Sequence, residues 1–193
     1  MTRKDTAPTD LALEHRSGLP DALRVLLKEY PRTDWAAHAN FRGLVQFWLD
    51  RHMMFRNILE TLNRNARQCH DGALDPQVHA ATLARLGSGF VNELHGHHSI
   101  EDHHYFPVLA RQEPGIARGF ELLDHDHHDL DRRLHGFVER ANAVLQSPDG
   151  DRTSVGLFLD DLDDLGVFLD RHLVDEEELV VPVILKNGAQ GLG

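Results

Sequence analysis

The chain is predicted to be all-α: an antiparallel up-down-up-down four-helix bundle with a short extra helix before it. Apolar residues recur at alternating steps of three and four through four long segments, as they do in helices packed along a seam. Connections rich in helix breakers separate those segments, and they are short enough to make consecutive helices antiparallel neighbours. Little in the chain reads as a strand. The β-branched run Val180-Val181-Pro182-Val183 is interrupted by proline and continues a helical seam.

Residues 1–18 are polar and read as a flexible N-terminus, so the folded domain is expected over 19–187. Pro20 to Tyr30 reads as a short cap helix with Leu23, Leu26 and Leu27 on its apolar face. The bundle proper is expected over about 36–186. Its first segment, about 36–66, carries Phe41, Val45, Trp48, His52, Phe55, Leu59 and Leu62. The second, about 76–110, carries Phe90, Leu94, His97, Glu101, His104 and Val108. The third, about 114–146, carries Ile116, Phe120, Leu123, His127, Leu130, Leu134 and Phe137. The fourth, about 151–186, carries Phe158, Leu162, Leu165, Leu169, His172, Glu176, Leu179 and Val183. Asp71-Gly72 with Asp75-Pro76, then Glu113-Pro114-Gly115, then Ser147-Pro148-Asp149-Gly150 break the helices between them.

Composition narrows the function. A chain of 193 residues, 41% hydrophobic and 26% charged, buries a real core. Its net charge of −11, with no basic stripe, argues against a nucleic-acid partner. No apolar run approaches the ~20 residues that span a bilayer. The N-terminal residues lack the apolar core of a signal peptide, so a cytoplasmic protein is expected. Cys69 is the one cysteine, which excludes an intrachain disulfide. Gly87-Ser88-Gly89 has no following lysine and is not a phosphate loop; it reads as a kink or a place of close packing.

Histidine is the outlier, at 15 residues, with clusters at 95–104 and 125–135. One motif occurs twice. His97 and Glu101 are followed by Pro107; His172 and Glu176 are followed by Pro182. Residues four apart share a helix face, so an imidazole and a carboxylate in each copy reach one metal. The seams supply two more histidines, His52 and His127, each interrupting an otherwise apolar ladder. Buried carboxylates without compensating charge cost several kcal/mol, about 3–5 for a broken buried pair. Two divalent cations offset two carboxylates and a bridging hydroxide with one positive charge left over. Facing helices of a bundle are a place where dinuclear sites are built.

The seam selects among neighbours. His98 and Asp102 lie one position off it, and among His125, His127 and His128 only His127 keeps the three-four rhythm. His103 and His95 read as surface or supporting residues. His104, one turn beyond Glu101, is a candidate fifth imidazole, with His128 or no fifth histidine as the alternatives; its counterpart in the second copy is Leu179. Asp131, four residues after His127, and Glu177, five after His172, are further candidates. The candidate metal ligands are therefore His52, His97, Glu101, His104, His127, His172 and Glu176.

In this order His52, His97-x3-Glu101 with Tyr105-Phe106-Pro107, Asp126-His127, and His172-x3-Glu176 with Val181-Pro182 resemble the hemerythrin-like, HHE cation-binding domain over about 36–186. The resemblance implies a non-heme di-iron centre, its irons capped by imidazoles and bridged by Glu101, Glu176 and an oxo or hydroxo group. The oxygen-carrying members use five histidines, two of them four apart on the third helix, where this chain has His127 and then Asp131. The implied function is binding of, or reaction with, O2 or a related small oxidant such as peroxide or NO, for sensing, storage or stress protection. A di-iron oxidase or peroxide-decomposing enzyme uses the same residues. A ferritin-like carboxylate site needs Glu-x-x-His on two helices, and only Glu101-x-x-His104 offers one. A structural zinc bundle would use four ligands, often thiolates.

Overall fold

The computed structural model describes residues 11–147 and 151–192. Among them every regular element is helical, in the order α1 (Val25–Glu29), a 3₁₀ turn (Arg32–Ala37), α2 (Leu44–His70), α3 (Pro76–Ile100), a π-turn (Glu101–Tyr105), α4 (Phe106–Gln112), a 3₁₀ turn (Pro114–Ile116), α5 (Ala117–Gln146) and α6 (Arg152–Asn187). The expected breakers act where they stand. Gly72, at φ 75°, ends α2 in the left-handed conformation. Asp75 caps α3, its carboxylate accepting the Gln77 amide at 2.7 Å, with Pro76 in the first helical position. Asp151 caps α6 through the Thr153 amide at 3.1 Å. Pro148, Asp149 and Gly150, part of the third expected breaker, lie outside the described residues.

Three elements differ from expectation. The cap helix expected over Pro20–Tyr30 is helical only over Val25–Glu29. The first long helix starts at Leu44 rather than near residue 36, because Trp35 belongs to a 3₁₀ turn and Gly43 takes φ 93°. The second long segment is not a single α-helix. It is interrupted at Glu101–Tyr105 by a π-turn, and α4 follows with Pro107 in its first turn. Proline lacks the N–H that would close an α-turn, and its ring presses on the carbonyl four residues back; a wider turn relieves both.

The chain divides into two compact units, with divisions inside α2, α5 and α6 and at the junction of α3 with the π-turn. The first takes the described residues of Met1–Leu49, Glu101–His128 and Arg171–Gly193. Its core gathers Leu19, Leu26, Trp35, Val45, Trp48, Phe106, Leu109, Phe120 and Leu123 against Leu179, Val183 and Ile184. α6 is buried on every side from Leu179 to Leu185, as a helix end covered all round must be. Part of that cover is the N-terminal segment: the Asn40 amide donates to the Leu185 carbonyl at 2.8 Å, and the Trp35 indole donates to the Tyr30 carbonyl at 2.8 Å. Of the expected flexible N-terminus, residues 1–10 lie outside the described residues; over 11–18, Leu13 and Arg16 are buried.

The second unit takes the described residues of Asp50–Ile100 and Asp129–Asp170. Each of its four long helices sends one phenylalanine inward. Phe55 meets Phe90 at 6.2 Å between ring centroids, Phe90 meets Phe137 at 5.8 Å, and Phe137 meets Phe158 at 5.6 Å. These offset and edge contacts are the favourable ones for aromatic rings. Gly87 admits the Phe137 ring, which would stand 3.5 Å from an added Cβ: close packing rather than a phosphate loop.

Candidate metal centre

In the second unit, α2 and α3 present one imidazole each to the other. His52 Nε2 and His97 Nε2 are 3.0 Å apart with the rings edge-on. His52 is buried at the level of Phe55, and His97 is half-buried with its ring 5.2 Å from that of Phe55. His98, expected one step off the seam, is buried as well, because the inward ladder of α3 runs His79, Leu83, Gly87, Phe90, Leu94, His98. Its ring lies 5.9 Å from that of His97.

In the first unit the pairing recurs with its supports visible. His127 on α5 and His172 on α6 place their Nε2 atoms 3.1 Å apart. Behind His127, Nδ1 lies 2.7 Å from Asp102 Oδ1; behind His172, Nδ1 lies 3.5 Å from Asp126 Oδ2. A ring that donates from Nδ1 to a carboxylate leaves Nε2 as a lone pair, so each aspartate fixes the tautomer that points a donor nitrogen inward. Two such lone pairs facing across 3.1 Å repel unless a cation takes them.

Two carboxylates lie beside these imidazoles in the first unit. Glu101 from the π-turn and Glu176 from α6 are fully buried, with oxygens within 4.8 Å of each other. Glu101 Oε2 is 3.7 Å from His127 Nε2, and Glu176 Oε2 is 3.6 Å from His172 Nε2. Burial pushes the Glu101 carboxyl well above the usual carboxylate range; the nearby Asp102 charge adds to this, and hydrogen bonds with Glu176 and the Trp48 indole oppose it. Trp48 and Tyr105 stack at 5.0 Å alongside. Inward imidazole nitrogens backed by carboxylates, together with paired buried glutamates, form the hard and borderline donor set that first-row metal ions accept.

Around this centre, arginines take up the other acids of α6. Asp175 receives Arg16 Nε at 2.8 Å and also Arg171. Glu177 receives Arg32 at 2.6 Å, and Glu178 receives Arg24 at 2.8 Å. Glu176 alone in the run Asp175-Glu176-Glu177-Glu178 is directed at His172. Glu177, five residues after His172, is buried and paired with Arg32.

Most of the residues expected on the seams are where the periodicity puts them. His52, Glu101, His127, His172 and Glu176 are buried, and His125 and His128 are exposed. His104 is the exception. It is exposed, because the π-turn adds a residue and carries the buried ladder from Glu101 to Phe106 and Leu109 instead of to His104 and Val108. Asp131 is half-buried in the second unit, 3.8 Å from His95 on the helix surface. Asp102 and Asp126, behind the imidazoles, and Arg16, behind Asp126, are not among the residues the sequence points to as site residues. Asp126 beside His127 carried a readable signal; Arg16, in a polar N-terminal stretch, carried none.

An all-helical chain with convergent imidazoles and buried glutamates is a cation-binding helical protein in its chemistry. The chain belongs to the hemerythrin family: the Hemerythrin HHE cation binding domain matches residues 43–184. Comparison with curated proteins and with solved structures gives no match.

Proposed function

We propose that the chain is a non-heme di-iron protein that binds or reacts with O2 or a related small oxidant such as peroxide or NO. The fold that carries this function is an up-down-up-down bundle of α2, the α3–α4 segment, α5 and α6. His52, His97, His127 and His172 supply the neutral nitrogens, and Glu101 and Glu176 the anionic oxygens. The observation that carries the reading is the face-to-face Nε2 pair of His127 and His172 with a carboxylate behind each ring. Such an arrangement wants a cation, and the family is one of cation binding. Six N/O donors without a cysteine among them favour iron over structural zinc.

Bound iron supplies the redox chemistry; the chain's residues bind and orient it. Asp102 and Asp126 hold the rings and make them better donors, while Trp48, Phe55 and Phe106 exclude water from the set. The exposed His104 leaves the nitrogen count at four from the seams, with His98 the buried imidazole next in line. A set short of the five imidazoles of oxygen carriers favours reaction or sensing over simple carriage, because an open position admits small ligands.

Metal analysis of purified protein should find about two irons per chain, the dinuclear case. One zinc and no iron would overturn the reading. Adding O2 and then peroxide to the anaerobic ferrous protein separates the roles. A spectrum that reverses on removing O2 identifies a carrier or sensor; peroxide consumed over many turnovers identifies an enzyme.

A further inference from the structure

We propose that Arg16 is a positioning residue of the metal centre: from outside the matched domain, it holds Asp126 against the His172 imidazole. The inference rests on the di-iron reading above and adds a component that the domain of residues 43–184 does not contain. The Arg16 guanidinium is buried with 2% of its side chain exposed, as is that of Asp126. All three of its nitrogens donate. Nη1 donates to Asp126 Oδ1 at 2.9 Å, Nη2 donates to Asp126 Oδ2, and Nε donates to Asp175 Oδ2 at 2.8 Å. Nη1 also donates to the Leu11 carbonyl at 2.9 Å, and the Leu19 amide donates to Asp175 Oδ1 at 3.2 Å, which ties down the segment on both sides of the arginine.

Asp126 thus has two tasks. Both of its oxygens accept from Arg16, and Oδ2 also lies at His172 Nδ1. A carboxylate gripped at both oxygens by a planar fork has its plane set by that fork, a constraint that a lysine point charge does not impose. The plane of Asp126 in turn decides which His172 nitrogen carries the proton, and so whether Nε2 faces inward as a lone pair. Arg24 and Arg32 provide the comparison within the same segment. They also anchor it to α6, but on Glu178 and Glu177, whereas Arg16 grips the carboxylate that stands at His172 Nδ1. A role in folding alone would make the three arginines alike; a positioning role makes Arg16 different in kind.

The test uses the full chain loaded with iron, with R16K, R16Q and R24Q beside the wild type. R16Q and R16K should weaken iron binding by ~10–100-fold in competition with a chelator, the range for residues that orient metal-bound histidines. Both should also shift the charge-transfer band of the azide-treated protein. R24Q should lower thermal stability and leave affinity and band unchanged. A double-mutant cycle locates the effect: in a D126N background, R16K should add little, because it acts through that carboxylate. Wild-type affinity and spectrum in R16K, or full additivity with D126N, would overturn the proposal. R16K keeps the buried charge, so it carries the test if R16Q does not fold. If the wild-type chain takes up no iron, the di-iron reading fails. Arg16 is then tested in the metal-free protein by the His172 Nδ1–H proton resonance: R16K should move it, and an unmoved resonance overturns the proposal.

Discussion

The histidines of this chain sort by what stands behind each ring. His127 has Asp102 and His172 has Asp126, and both rings turn Nε2 inward; His125 and His128, neighbours in sequence, are exposed. His104 tests the same distinction in the second long segment. It sits three residues from Glu101, as a ligand on a regular α-helix would, yet the π-turn leaves it exposed. His97→Ala and Glu101→Ala should therefore each lose most of the bound iron, whereas His104→Ala should keep about two per chain, as a dinuclear site requires. Metal content by elemental analysis checks it. Loss of iron in His104→Ala would return that residue to the ligand set and show that the π-turn opens toward the metal.

At the scale of elements, the helices were readable because each has a long apolar ladder and a breaker at its end. The seam of α5 predicted its buried face from Ile116 to Phe137, and Asp75-Pro76 announced the start of α3. The π-turn was not readable in that way. A ladder of threes and fours assumes one rotation per residue, and the wider turn before Pro107 adds a residue that the rhythm does not count. That is why Glu101 and Glu176 come out alike while the residues after them do not. The two copies of the motif diverge at the proline: Pro107 is preceded by a π-turn, whereas Pro182 is carried inside α6.

Glycines distinguish open helix surface from close helix contact. A Cβ at Gly89 in α3 would meet nothing within 4 Å, whereas one at Gly119 in α5 would stand 2.7 Å from a Leu179 methyl. Gly89→Ala should therefore raise stability by about 0.5–1 kcal/mol, the propensity difference. At Gly119 the same gain is opposed by overpacking of about 1–3 kcal/mol against a leucine that is itself buried, so Gly119→Ala should be destabilising. Denaturant midpoints of the two variants check both signs. A stabilised Gly119→Ala would mean that Leu179 has room to change rotamer.

For the whole molecule, the domain match and the folding unit are different lengths of chain. The match begins at residue 43, but Leu13, Leu19, Leu26 and Trp35 lie in the core before it, and Arg16, Arg24 and Arg32 neutralise the three acids that flank Glu176 in its run. Sequence pattern concealed this: residues 11–19 carry no sustained apolar ladder, and nothing local shows that Leu19 shares a core with the far end of α6. The energies set the scale. Four buried apolar side chains at about 1.5–3 kcal/mol each contribute on the order of 6–12 kcal/mol. A domain of this size has only about 5–15 kcal/mol of net stability. A chain starting at residue 43 also leaves uncovered part of the apolar end of α6, Leu179 to Leu185, takes their arginines from Asp126, Glu177 and Glu178, and leaves Asp175 with Arg171. That truncated chain should bind a dye specific for exposed apolar surface, lose its cooperative thermal transition and take up no stable iron. A cooperative transition within a few degrees of the full chain, with iron still bound, would show that the matched domain is self-sufficient and that the N-terminal segment only decorates it.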